Sequence, residues 1–356
     1  MNASGNWTND AVQRVLGGAM ESRIGSGFAF SFGDASGPIC RGVGGRTHLD
    51  GPAVEETALW DLASVSKLVT GLAFVRLLED GELHLAQRVD RFLDDFRASP
   101  AGRATLFELL THTSGLPGRQ PLFRTCEDSD AIRAAVRTLQ VRAEPGSRVD
   151  YSSQGFMILG WILESVGRCS IAEALAQLVL TPFDLSDTGF RGLDAPASGT
   201  VATELCPWRG RVIHGTVHDE NTHVMGGAAG HAGLFASLAD MERLAWSLLQ
   251  IHSARTSRPI GTQALRTSTR NYTGHLGASR GLAWQLAGDP AALAGDLLTA
   301  GAFGHAGFTG TSLFVDVTLE RYGVLLLNAV HPSRHDDRQD DVTNRYFNIV
   351  ASSGRS

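Results

Sequence analysis

FAFSF at residues 28–32 and YGVLLLNAV at residues 322–330 both read as β-strands, although almost three hundred residues separate them. Working outward from the first, the turn residues Gly33-Asp34-Ala35-Ser36-Gly37 lead to a second short strand around Ile39–Val43, completing a hairpin. Working back from the second, TSLFVDV (311–317), FGHAGF (303–308) and GLAWQLA (281–287) read as further strands. A helix from Asn9 to about Arg23, striped by Val12, Val15, Leu16 and Met20, precedes the hairpin, and Asp341–Ala351 reads as a closing helix. The middle of the chain is mostly helical and loop-rich, with TLFELLTHTSGLP (105–117), GFMILGWILESVGR (155–168) and DMERLAWSLLQIH (240–252). Strands at both ends around a helical middle predict an α/β (α+β) chain: one antiparallel sheet built from the N- and C-terminal segments and flanked by helices, with a mainly helical lobe inserted. The expected partition is 1–84 and 251–356 for the sheet lobe and 85–250 for the helical lobe, with the active site at their interface.

Composition narrows the functional classes. The 356 residues are 43% hydrophobic and 19% charged, ordinary for a globular enzyme and unlike a disordered chain. A formal charge of −6 offers no basic field for a nucleic-acid backbone. Neither a secretory leader nor a run long enough to span a membrane is visible, so a cytoplasmic location is expected, or a periplasmic one had a leader been removed. Cys40, Cys126, Cys169 and Cys206 lie far apart with no CxxC pair, which argues against zinc ribbons and disulfide frameworks.

One count stands apart. Of 31 basic residues, 30 are arginine, and Lys67 is the single lysine. Arginine stays protonated at any working pH, whereas a desolvated lysine can serve as a base. Lys67 sits in DLASVSKLV (61–69), at the start of a helical stretch over residues 65–80 that carries Leu68, Val69, Leu72, Val75 and Leu78 and meets Gly81 as a stop. Ser64 lies three residues earlier, on the same helical face. A hydroxyl and an amine so placed form a nucleophile–base pair, and free N–H groups at a helix start favour an oxyanion.

DLASVSK resembles the Ser-x-x-Lys box of the serine β-lactamase-like family, which includes class C β-lactamases, DD-peptidases and related esterases. LLTHTSGLP (109–117), EPGSRVDYSSQGFMILGWIL (144–163) and FGHAGFTGTSLFVDV (303–317) are similar to further family segments in the same order, so the resemblance runs from about residue 25 to residue 330. It implies Ser64 as the acylated nucleophile, Lys67 as its proton partner, and Tyr151, in Tyr151-Ser152-Ser153, as the phenol that shuttles a proton to the leaving group. Which of Lys67 and Tyr151 acts as base stays open, since coupled groups titrate as a pair. The family's Lys-Thr-Gly strand falls on His305-Ala306-Gly307, and the backbone N–H groups of Ser64 and Phe308 would form the oxyanion hole.

Two departures bear on substrate. Ser153 stands where the family carries an asparagine amide. Ala306 lacks a threonine hydroxyl, and His305 replaces a fixed lysine charge. Both weaken the recognition expected for penicillin-like acids. The segment TELCPWRGRVIHGTVHDEN (203–221) resembles a subgroup of cell-wall-type hydrolases, which implies that Trp208, Arg209, His218 and Asp219 line the substrate cleft, with Arg209 as a carboxylate clamp.

Other patterns read as structure. His214, His218, His223 and His231 cluster near Asp219 and Glu220, but a β-branched, glycine-containing run makes loop hydrogen bonding the expected role rather than a metal site. Gly277–Gly281 matches G-x-S-x-G without its strand-then-helix context. GGAAGHAG (226–233) lacks a nucleotide-loop context and reads as tight turns. The expectation is a serine hydrolase of small-molecule esters or amides, and the resemblance implies cell-wall-derived peptides or muropeptides among them. It would need no cofactor or metal, and nothing fixes its oligomeric state. Alternatives are a penicillin- or ligand-binding protein of the same fold with little turnover, a β-lactamase proper, or a metal-dependent hydrolase.

Overall fold

The computed structural model describes residues 3–335 and 338–353. Its main sheet has six strands in the order Gly37–Gly45, Gly27–Asp34, Arg321–Leu327, Ser312–Asp316, Phe303–Ala306 and Gln285–Leu286. The two distant stretches meet at its centre as antiparallel neighbours, with Phe28 opposite Leu327 and Phe32 opposite Gly323.

Side-chain alternation assigns each face a core. Phe28, Phe30 and Phe32, with Leu325 and Leu327, pack beneath the terminal helices Ala3–Glu21 and Gln339–Ser352. Gly323 permits the close approach, because a Cβ there would stand 3.0 Å from Phe347 and Val350. On the other face Ala29, Val324 and Leu326 join a larger core beneath helix Leu238–His252. That core continues without a break through helices Ser66–Glu79 and Ser153–Gly167.

Helix Ser66–Glu79 is buried on every side from Ser66 to Val75 and ends where Gly81 turns to φ +75°. Leu68 and Leu72 are at most 1% exposed, each worth roughly 1.5–3 kcal/mol of apolar burial. Helix Ser153–Gly167 starts where the Ser152 hydroxyl accepts a hydrogen bond from the Gly155 N–H (3.1 Å) and stops at Arg168 in the left-handed region.

Three expectations need correcting. GLAWQLA contributes only Gln285–Leu286 to the sheet, because Ala283 adopts φ +67° and donates its N–H to Leu110 O (2.8 Å). The first helix begins at Ala3 rather than Asn9. Helix Ser129–Thr138, capped by Asp128, and the hairpin Leu205–Cys206/Arg211–Val212 have no counterpart in the periodicity reading. No single described helix is long and apolar enough to cross a membrane; the bent pair Ser153–Gly167 and Ile171–Leu180 passes by length and composition, yet residues Gln154–Leu163 are buried in the core.

Candidate active site

Ser64 sits in the 3-10 turn Ala63–Val65, immediately ahead of helix Ser66–Glu79. Ala63 holds a left-handed φ of +44°, a costly conformation that its surroundings enforce. The buried Asp61 carboxylate accepts from the N–H of Ala63 (2.8 Å) and from that of His218 (2.6 Å). The carbonyls of Asp61 and Leu62 accept from the hydroxyls of Thr309 (2.8 Å) and Thr311 (3.0 Å). Gly307 lies so close to this turn that a Cβ would come within 2.6 Å of Leu62 O. The nucleophile turn is thus clamped by the loop that follows strand Phe303–Ala306.

Lys67 is fully buried and donates to Ser64 Oγ and to the His231 carbonyl, both at 3.1 Å. The second partner depends on the glycines of residues 226–233: a Cβ on Gly230 would meet Phe156 O at 2.2 Å. These glycines let that loop lie on helix Ser153–Gly167, and Thr70 Oγ1 donates to Gly230 O (2.8 Å).

Tyr151 places its ring 4.9 Å from Lys67 Nζ. Its hydroxyl is buried and, among the described residues, makes no well-formed hydrogen bond. Burial raises the phenol's pKa, but the Lys67 charge, polar contact with Lys67 and Ser64, and the Arg119 charge together bring it below the usual tyrosine value. The buried His112 packs its ring, tilted by 40°, 4.6 Å from that of Tyr151 and accepts from Ser152 N–H through Nδ1 (3.1 Å), fixing the backbone beside the phenol. Burial first, then the charges of Arg280 and Lys67, push His112 well below its ordinary pKa.

Ser64 lies where two clefts meet. The larger, about 620 Å³, is lined by Tyr151, Arg280, His305, Ala306, Gly307 and Phe308. The smaller, about 210 Å³, includes Ser153, Gln154, His218, Asp219 and Arg334, with Phe308 and Arg119 common to both. The Ser64 N–H heads a short helical turn, where first-turn amides lack an intrahelical acceptor, and among the described residues the Phe308 N–H makes no backbone hydrogen bond. Ser64, Lys67, Tyr151, Ser153, His305, Ala306, Gly307 and Phe308 are therefore brought together, and His218 and Asp219 reach the smaller cleft.

Trp208 and Arg209 do not line either cleft. Trp208 is 44% exposed and packs on Phe123 and His223. Arg209 donates to Val217 O (2.7 Å) and His218 O, so its guanidinium fastens a loop instead of clamping a carboxylate. The four clustered histidines diverge. His214 meets Thr200 O (2.9 Å), His223 packs on Trp208, and His231 meets Asp219 (3.0 Å) and Thr222 (3.1 Å). His218 pairs with Glu204 (2.6 Å). Among the described residues, no three His, Cys, Asp or Glu side chains converge as metal ligands.

Arg334 binds Glu204 (Nε to Oε2, 2.6 Å) and Glu220, and its guanidinium lies 5.7 Å from the Phe308 ring. Burial opposes ionisation of Glu204, yet hydrogen bonds from His218 and Arg334, with their charges, bring its pKa down to about 2. The stabilisation is therefore complete above the ordinary glutamate value of about 4.3 and is lost as pH falls toward about 2. Glu204→Gln is expected to lower Tm at pH 7 by roughly 1–1.5 °C per kcal/mol lost and to flatten the acid limb of Tm against pH. An unchanged acid slope in thermal melts would remove Glu204 from that role.

His112, Gln154, Arg119, Asp61, Thr309 and Thr311 escape the sequence reading as individual site residues. Gln154 is fully buried; its Nε2 donates to Gln120 O (3.2 Å), leaving Oε1 without a partner at the smaller cleft. It places an amide next to the position where Ser153 lacks one. The available signal was its adjacency to Tyr151-Ser152-Ser153.

Comparisons with known proteins bear on the family and the fold. A curated protein from Escherichia coli (strain K12) named "Putative D-alanyl-D-alanine carboxypeptidase" is 28% identical over 321 residues, covering 79% of this chain and 71% of its own. EstCE1, a hydrolase with promiscuous acyltransferase activity, superposes with a TM-score of 0.79 at 20% identity, covering 98% of this chain and 100% of that one. The octameric penicillin-binding protein homologue from Pyrococcus abyssi superposes with a TM-score of 0.74 at 17% identity, covering 95% of this chain and 76% of that one. The Beta-lactamase family profile matches residues 12–345, nearly the whole chain, which therefore belongs to the beta-lactamase family and is a serine hydrolase.

Proposed function

We propose that the protein cleaves small esters or amides of cell-wall peptide type through an acyl-enzyme on Ser64. The observation that carries the reading is Ser64 Oγ held 3.1 Å from the buried Lys67 Nζ at the junction of two clefts, with the unpartnered Tyr151 hydroxyl beside it. Ser64 Oγ adds to the substrate carbonyl while its proton passes to the Lys67–Tyr151 pair. The N–H groups of Ser64 and Phe308 hold the oxyanion, and Tyr151 returns a proton to the departing oxygen or nitrogen. Water then adds to the acyl carbon, loses a proton to the same pair, and releases the acid and Ser64.

The carboxypeptidase-named relative supports a peptidoglycan-derived acyl group, and the unpartnered Gln154 Oε1 supports one that bears an N–H donor. Stopped-flow hydrolysis of p-nitrophenyl acetate should show a burst of one p-nitrophenol per active site followed by slower turnover. A linear trace, with no acetyl-protein trapped by acid quench and intact-mass measurement, would count against the intermediate.

A further inference from the structure

His305 is 4% exposed, and its Nδ1 lies 2.7 Å from the Ala306 carbonyl oxygen. A carbonyl can only accept, so Nδ1 carries the proton, and in the neutral ring Nε2 is an acceptor. That Nε2 is buried, has no partner among the described residues, and belongs to the side chain lining the larger cleft with Ser64 and Tyr151. Burial, reinforced by the nearby charges of Lys67, Arg280 and Arg119, lowers the ring's pKa to about 3, so it stays neutral in the working range. Arg280, in the same cleft, is paired with Asp289 at 3.1 Å. The exposed Arg119 guanidinium stands over the Tyr151 and Phe308 rings at the mouth.

We propose that the larger cleft takes leaving groups that present a hydrogen-bond donor, such as a carboxamide or hydroxyl, to His305 Nε2, and discriminates against leaving groups ending in a carboxylate. A carboxylate brings only acceptors to a buried acceptor, so His305 Nε2 stays unpaired even where the Arg119 guanidinium meets the charge at the mouth. A carboxamide N–H fills the bond, and sites built around one buried polar group discriminate strongly by this route. The chemistry is that of a neutral or amidated peptide end. The inference rests on the acyl-enzyme reading above.

Two esters sharing one acyl group test it: N-acetyl-D-alanyl-D-lactate, whose leaving group carries a carboxylate, and its D-lactamide counterpart. The wild-type protein should favour the lactamide ester by about tenfold or more in kcat/KM, and His305→Lys should reverse the order at pH 7. The proposal fails if the lactamide ester is no better than the lactate ester, inactivity toward both included. It also fails if His305→Lys, still hydrolysing p-nitrophenyl acetate, leaves the order unmoved. The unaltered protein gives a second reading, since D-lactamide should inhibit p-nitrophenyl acetate hydrolysis at lower concentration than D-lactate, and the opposite ranking overturns the proposal. A wild-type protein with neither a p-nitrophenyl acetate burst nor an acetyl-protein trapped by acid quench would bring down the acyl-enzyme reading itself, and this inference with it.

Discussion

Ser64→Ala should reduce p-nitrophenyl acetate hydrolysis by at least about 10⁴-fold and abolish the single fluorophosphonate adduct expected of wild type in intact-mass spectrometry. The hydroxyl is the only atom removed, and alanine suits the 3-10 turn already held by Asp61, Thr309 and Thr311. Tm should therefore stay within about 1–2 °C, separating loss of chemistry from loss of fold. An adduct that persists in the variant would place the nucleophile elsewhere.

Lys67→Met carries the second large effect. Methionine approximates the lysine stem in length and fits an apolar core, so the buried helix should accept it. What disappears is the amine 3.1 Å from Ser64 Oγ, and kcat for the activated ester should fall by about 10³–10⁴-fold while KM moves only a few-fold. Because a polar group leaves a fully buried position, Tm should hold or rise. A variant retaining a tenth of wild-type kcat would show that Tyr151 alone suffices to move the proton.

The contrast between these two residues and the cleft walls shows what a linear pattern can carry. Ser64 and Lys67 share one helical face, so their contact is local and follows from a spacing of three. The central sheet was equally readable, because FAFSF and YGVLLLNAV each announce strand character and their pairing follows from the helical middle. Arg209 failed as a clamp for the opposite reason: its partners, Val217 O and His218 O, are backbone carbonyls brought near by a loop, and loop geometry leaves no periodic trace. Ala283 ended a strand that hydrophobicity predicted, since a single left-handed residue docked on Leu110 outweighs the preference of its neighbours. His305 was visible as a residue, but its charge state depends on burial and on Lys67, Arg280 and Arg119, which come from three other parts of the chain.

The threonine clamp on the nucleophile turn sets a timetable for synthesis. Ser64 and Lys67 leave the ribosome early, but the hydroxyls that fasten Asp61 and Leu62 lie 248 and 249 residues further along. The chain grows from its N-terminus, so the hydrolytic centre must wait until Thr309 and Thr311 have emerged. A nascent or prematurely stopped chain ending before about residue 300 would hold a serine and a lysine in a helix without the strand and loop that arm them. Hydrolytic activity thereby becomes a sign that Thr309 and Thr311 have closed on the turn.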